Sequence, residues 1–341
     1  MTQESPPAAP VRPPRFGRRL LPVLGLVLLS PWVAEYLVGS HSVRDLPLIV
    51  FLVPMYGGGA LLIREVARRT GRGWPTMLLL GLAYGVIEAG LLDQSLFNPD
   101  YAGEDFQSVA HIPGLRISGY FGLLFVTGHA IWSIGVPIAI IESLVPHRST
   151  TPWLRTPGLV ATAGLYLLGG GIIYADLQRT EGFSASPLQF TVAATLAVIF
   201  VVAAFRVPNR PTEPAARAPK RRILVLLIAL VASRLLWIHE SWFGVGLSVA
   251  LLVTAAWLVA RWARSPQWSR GHRLALAAGA LLTQAWDGFH LSPWRPVSPT
   301  EELIGDIFFT VVAITLILLT IRRLRRDERP WAERAPLPAS G

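Results

Sequence analysis

Residues 74–99, WPTMLLLGLAYGVIEAGLLDQSLFNP, decide how this chain folds. They follow four arginines, Arg64, Arg68, Arg69 and Arg72, and then carry no basic residue and two acids, Glu88 and Asp93, before Pro99 stops the run. An α-helix needs roughly 20 mostly apolar residues to cross the hydrocarbon core of a bilayer. The alternation of a barrel strand is absent, so in lipid the backbone can be satisfied only by helical hydrogen bonds. The stretch reads as a membrane span with acids placed where they are expensive.

Working outward, runs of similar length lie at about 20–39, 46–63, 117–145, 157–177 and 186–205, and again at about 223–239, 243–260, 274–291 and 303–321. With the first stretch they make ten spans. Pro137 is a place where the fourth can kink. The composition agrees: of 341 residues 52% are hydrophobic and 15% charged, against about 25% charged in soluble domains. Mean hydropathy is +0.46.

The net charge of +10 could point to nucleic acid, but its distribution points to topology. Cytosolic loops of membrane proteins collect Lys and Arg. With the N-terminus inside, 26 of the 31 basic residues fall on the cytosolic side and four, Arg44, Arg116, Arg179 and Arg295, outside. Arg234 lies within a span. The expected protein is an all-α, polytopic transmembrane helical bundle of about ten spans in a bacterial cell membrane, with both termini cytosolic. Residues 1–19 form a disordered basic lead, 20–322 the transmembrane domain and 323–341 a basic tail. Its partners are the bilayer, anionic lipid headgroups at the cytosolic face and a small solute or peptide; nucleic acid is not expected. Cysteine is absent, which removes thiolate ligands and a Cys nucleophile.

Two exits share the pattern Asp-x4-(Asn/Ser)-Pro, at Asp93–Pro99 and Asp287–Pro293. They suggest parallel repeats over 20–146 and 223–322. The alternative is that basic loops and exit prolines recur in any polytopic protein. Gly57 to Gly59 and Gly169 to Gly171 serve either close helix packing or a locally unwound helix lining a site.

Ionisable residues within spans normally face a cavity or one another. Here they are Glu35, Glu88, Asp93, His129, Arg234, Asp287 and Asp306, with His290 at the outer edge. Most fall in the outer half, which suggests one polar cavity opening outward. Tyr84, Glu88 and Ser95 share a helical stripe, with Asp93 well round from Glu88; Phe125, His129, Ser133 and Pro137 share another. Glu88 and His129 facing each other could pass a proton, act as catalytic acid and base, or make a static pair. Arg234 requires a partner, with Asp287 or Asp306 at similar depth. Glu65 and Glu142 read as partners of nearby arginines. No metal site and no cofactor are expected.

Several segments, Ser30-Pro-Trp-Val-Ala-Glu35-Tyr, Tyr56-Gly-Gly-Gly-Ala-Leu-Leu-Ile-Arg64-Glu65, Ala83-Tyr-Gly-Val-Ile-Glu88-Ala-Gly and Gly128-His129-Ala-Ile-Trp-Ser133, resemble an uncharacterised polytopic membrane family of high-GC, actinobacterial-type bacteria. Phe125-Val-Thr-Gly-His129, with Glu88 earlier, is similar to motifs of the CAAX-type and bacteriocin-processing intramembrane proteases. In that family the acid activates water and histidines stabilise the oxyanion. This chain departs from it: Ala89 stands at the second Glu, Asp93 at the Arg, and no His-x-x-x-Asn follows. Three functions are carried forward: a proton-coupled small-solute transporter, an intramembrane hydrolase using Glu88 and His129, and a structural subunit of a membrane complex.

Overall fold

The structure is a computed structural model and describes residues 16–208 and 218–328. Each of the ten expected segments is helical. We number them α1 (Phe16–Pro31, continued by a π-helical turn, Trp32–Tyr36), α2 (Val43–Arg69), α3 (Trp74–Leu92), α4 (Gly119–Leu144), α5 (Thr156–Thr180), α6 (Pro187–Arg206), α7 (Arg222–Leu235), α8 (Trp242–Trp262), α9 (Arg270–Gly288) and α10 (Pro299–Glu328). Seven of them, α2 to α6, α8 and α10, are long and apolar enough to cross a membrane, and Leu20–Tyr36 is a shorter apolar helix. Helix α7 is only 14 residues long, and α9 opens with Arg270, His272 and Arg273.

Two boundaries differ from the sequence reading. Helix α1 begins at Phe16 and α10 runs to Glu328, so 16–19 and 323–328 are helical rather than lead and tail. The end of α10 is held by ion pairs, Arg222 to Glu328 at 2.9 Å and Arg270 to Asp327 at 3.3 Å. Residues 1–15, where most of the expected disordered lead falls, and the rest of the tail lie outside the described residues.

The core gathers Leu26 and Val33 of α1, Met55 and Leu61 of α2, Met77 of α3, Ile134 and Ile138 of α4, Leu281 of α9 and Phe309 of α10. Helices α5, α6 and α8 turn most of their apolar surface outward, with Leu167, Val198 and Val253 each about two-thirds exposed. Such faces fit lipid tails rather than water. Packing among the inner helices depends on close backbone approach, as expected where lipid removes the hydrophobic drive between helices. At Gly57 a methyl group would collide with the Val27 carbonyl of α1, and at Gly85 it would stand 2.6 Å from the Val126 carbonyl of α4. Gly57→Ala is therefore expected to push α2 from α1 and cost about 1–3 kcal/mol, measured as a lower unfolding midpoint in detergent micelles.

The basic loops lie together at one end. Arg72 donates to the carbonyls of Phe205 (2.6 Å) and Val207 (3.0 Å), Arg69 to Leu154 (2.6 Å), and His147 pairs with Asp327 at 2.6 Å. This arginine-rich end groups the loops before α3, α5 and α7 and the end of α10. The opposite end is closed by the 93–118 connection, which includes a small hairpin, β1 (His111–Ile112) against β2 (Ile117–Ser118), and by Arg44 on Glu301 at 2.8 Å.

The two segments considered as repeats pack differently. Helix α9 lies along α7, whereas its counterpart α3 lies along α4 and α6, and α1 along α2 and α4.

Candidate functional site

Four inner helices break their α-helical register at corresponding depth. The π-helical stretches are Trp32–Tyr36, Val53–Gly57, Glu88–Leu92 and His129–Gly135. Three of them contain or lie close to a proline, Pro31, Pro54 or Pro137, which lacks the N–H of an α-helical bond and crowds the carbonyl four residues back. The i→i+5 bonds run from Leu37 N to Trp32 O, from Gly58 N to Val53 O and from Val136 N to Ile131 O. The third stretch has no proline; there the Asp93 amide donates to the Glu88 carbonyl at 3.0 Å, and Gln94 turns out of the helix with φ of 59°. The Ser30 hydroxyl lies 2.6 Å from the Ser133 carbonyl and 3.0 Å from that of Tyr56, tying α1, α4 and α2 together where their ladders are disturbed.

Each stretch contributes one side chain to a single polar chain. Tyr56 Oη lies 2.5 Å from Glu35 Oε1 and 3.0 Å from Glu88 Oε1. Glu88 Oε2 lies 2.9 Å from His129 Nε2, an approach oblique to the ring N–H, and has no well-aligned hydrogen-bond partner among the described residues. His129 Nδ1 lies 2.6 Å from the Phe125 carbonyl. Tyr56 and Glu88 are buried. His129 is mostly covered, and Glu35 keeps part of its surface accessible.

The protons of this chain can be counted. A carbonyl only accepts, so His129 Nδ1 carries a hydrogen, and in a neutral ring Nε2 then carries none. A hydrogen bond between Nε2 and Glu88 then requires one further proton, on either group. Tyr56 brings one hydrogen to two carboxylates, so its second contact needs another proton, on Glu35 or Glu88. With all four contacts made as hydrogen bonds, the chain would hold two transferable protons and no net charge, the state that burial favours.

Aromatic rings enclose the chain. The ring of His129 stacks on Tyr56 at 5.9 Å and lies 5.9 Å from Tyr84, which also meets Tyr166 of α5 at 6.2 Å. The Tyr84 hydroxyl is buried without a hydrogen-bond partner among the described residues. Sequence reasoning placed Tyr84 beside Glu88 but missed Tyr56 and Tyr166. The available signal was a tyrosine between Pro54 and Gly57 in a span.

The seven ionisable residues do not converge on one cavity. Glu35, Glu88 and His129 are joined through Tyr56. Asp93 closes the π turn that begins at Glu88, its amide on the Glu88 carbonyl at 3.0 Å, so it is turned toward the Glu88 side where ideal α-helical spacing keeps it away; its carboxylate accepts from Ser95 N at 2.9 Å and Tyr101 Oη at 3.3 Å. Burial, followed by the Asp93 charge, pushes the Tyr101 phenol well above its usual range, so it stays a donor. Arg234 is not the buried cation expected from sequence. It lies in the last turn of α7, half exposed, and pairs with Asp287 at 2.8 Å. Asp306 lies apart on α10, with no hydrogen bond or ion pair among the described residues. Also among the described residues, no group of three or more His, Asp or Glu is disposed to hold a metal ion.

Glu65 and Glu142 take the structural role expected of them. Arg64, fully buried, lies 2.7 Å from Glu65 and 3.2 Å from Glu142, donates to the carbonyls of Arg148 (3.0 Å) and Thr151 (2.9 Å), and stacks on Trp153 at 3.3 Å. Glu65 accepts from the amides of Trp153 and Leu154, and Arg68 holds Glu142 at 2.6 Å.

An all-α bundle with seven helices of membrane-spanning length and polarity defines a multi-pass membrane protein. A family model matches residues 24–262, α1 through α8, and the chain belongs to that uncharacterized membrane protein family. No curated protein and no solved structure matches it.

Proposed function

We propose that this protein is a proton-coupled transporter of a small solute in a bacterial cytoplasmic membrane, with its arginine-rich end in the cytosol. The observation that carries this reading is the Glu35–Tyr56–Glu88–His129 chain of contacts, which joins four helices at four π-helical breaks and has places for two transferable protons. Such breaks often accompany functional sites. Tyr56 to Glu35 joins α2 to α1, Tyr56 to Glu88 joins α2 to α3, and Glu88 to His129 joins α3 to α4. Loss of either proton therefore breaks a link between helices. That supplies the differential interaction by which a proton biases one arrangement of a bundle over another.

The test is a proteoliposome carrying an internal pH dye, offered separate gradients of small amines, amino acids and carboxylates. A solute gradient is expected to change the internal pH, and a pH gradient to drive the same solute. Solute flux with no proton movement would count against coupling.

A second reading has one observation in its favour: Glu88 and His129 are in direct contact, as an acid and a histidine of a hydrolase would be. There Glu88 would activate water and His129 would stabilise the oxyanion. That reading requires turnover of a peptide or lipid-linked substrate by the purified protein in detergent, with no gradient present, and loss of turnover in Glu88→Ala.

A further inference from the structure

Protons must reach Glu88 by some path, and the two ends of the bundle differ. Toward the arginine-rich end, among the described residues, the side chains next along the inner helices are apolar and then fully ion-paired. They are Leu26, Leu61, Met77 and Ile138, all buried, and then Arg64, Glu65 and Glu142, with Trp153 stacked on the Arg64 guanidinium. Toward the opposite end, polar groups continue. Asp93 follows Glu88 on the same π turn, keeps part of its surface accessible, and meets the hydroxyl of Tyr101 in the overlying connection. Tyr84, one turn before Glu88 on α3, packs its ring against Tyr56 at 6.2 Å and His129 at 5.9 Å, and its buried hydroxyl has no hydrogen-bond partner among the described residues. A buried hydroxyl of this kind is ordinarily satisfied by water.

We infer that Asp93 is the port through which protons pass between the arginine-poor end and Glu88, with a water held on the Tyr84 hydroxyl as the bridge. The Asp93 carboxyl gives a proton to that water, the water gives one to the Glu88 carboxylate, and Asp93 is reprotonated from solvent beside Tyr101. One proton enters, one arrives, and no other group is changed. The groups facing this route are Glu35 of α1, Tyr56 of α2, Tyr84 and Glu88 of α3, His129 of α4, Tyr166 of α5 and Tyr101. Glu35 also keeps accessible surface, so direct entry there is the competing route. The inference rests on the reading that the chain takes up and releases protons.

The experiment is a rapid pH jump on the full-length protein in nanodiscs, following the carboxyl and imidazole bands by time-resolved infrared spectroscopy. Asp93→Asn is expected to slow the response of the Glu35–Glu88–His129 group by about a hundredfold, the scale of one positioned acid–base group, with its amplitude retained. Added formate, a small mobile acid, is expected to restore the rate, which a structural role for Asp93 would not allow. Tyr84→Phe removes a hydroxyl with no hydrogen-bond partner among the described residues and leaves the ring packing intact, so it tests the bridge even if Asp93→Asn fails to fold; it too is expected to slow the response. Wild-type rates in the variants, or slowing that formate does not relieve, overturn the port and leave entry at Glu35. A wild-type protein whose bands do not respond to pH overturns the proton-coupled reading itself, a different outcome.

Discussion

Arg64→Ala is expected to destabilise the bundle by about 3–5 kcal/mol, the cost of removing one member of a buried ionic network. The guanidinium fills a closed site: two carboxylates, backbone carbonyls of the α4–α5 connection and the face of Trp153 all depend on it. Glu65 would keep its two backbone donors and Glu142 would keep Arg68. The cost therefore falls mainly on the orphaned carbonyls, the lost stacking and the space left behind. Arg64→Lys keeps the charge but not the planar fork, and should recover only part of the loss. The check is the unfolding midpoint in mixed micelles, with limited proteolysis at residues 145–155. An unchanged midpoint in Arg64→Ala would show that the connection is held by other means.

If the protein is the proposed proton-coupled transporter, Glu88→Gln is expected to lower its solute flux by at least about a hundredfold while leaving the fold intact. The amide has the same shape and can still meet Tyr56 and a neutral His129, but it has no proton to release. Because Glu88 and His129 share one proton, their effects are not expected to add. The double variant with His129→Gln should be about as inactive as Glu88→Gln alone. Initial flux rates in proteoliposomes, beside thermal unfolding of the same preparations, check both statements. Retained pH-dependent flux in Glu88→Gln would remove Glu88 from the coupling site.

Much of this was legible because lipid leaves a chain few choices. Run length placed ten helices with ends within about seven residues, and seven of them are long and apolar enough to cross a membrane, since crossing a bilayer fixes both length and polarity. Sorting the arginines by loop anticipated the shared end that Arg72, Arg69 and His147 stitch together. Glu88 and His129 stood out because a charge within a span requires a partner, and each proved to be the other's.

The errors came from assuming ideal helices and inferring contact from depth. With 3.6 residues per turn, Asp93 belongs on another face from Glu88; the π turn carries it round. Equal depth grouped Arg234 and Asp287 with Glu88, yet a bundle has a circumference as well as a depth, and that pair sits on another part of it. Tyr56 was missed because a phenol carries no formal charge to mark it.

The sequence by itself determined that this protein crosses a membrane through helices, which loops share an end, and which side chains are buried at a cost. These follow from transfer energies summed along the chain, and such sums need no partner. Only the tertiary structure decided which costly groups meet, because meeting depends on helix rotation and on the register breaks near Pro31, Pro54, Glu88 and Pro137. Those breaks bring four side chains, separated by up to 94 positions between Glu35 and His129, into one continuous polar chain.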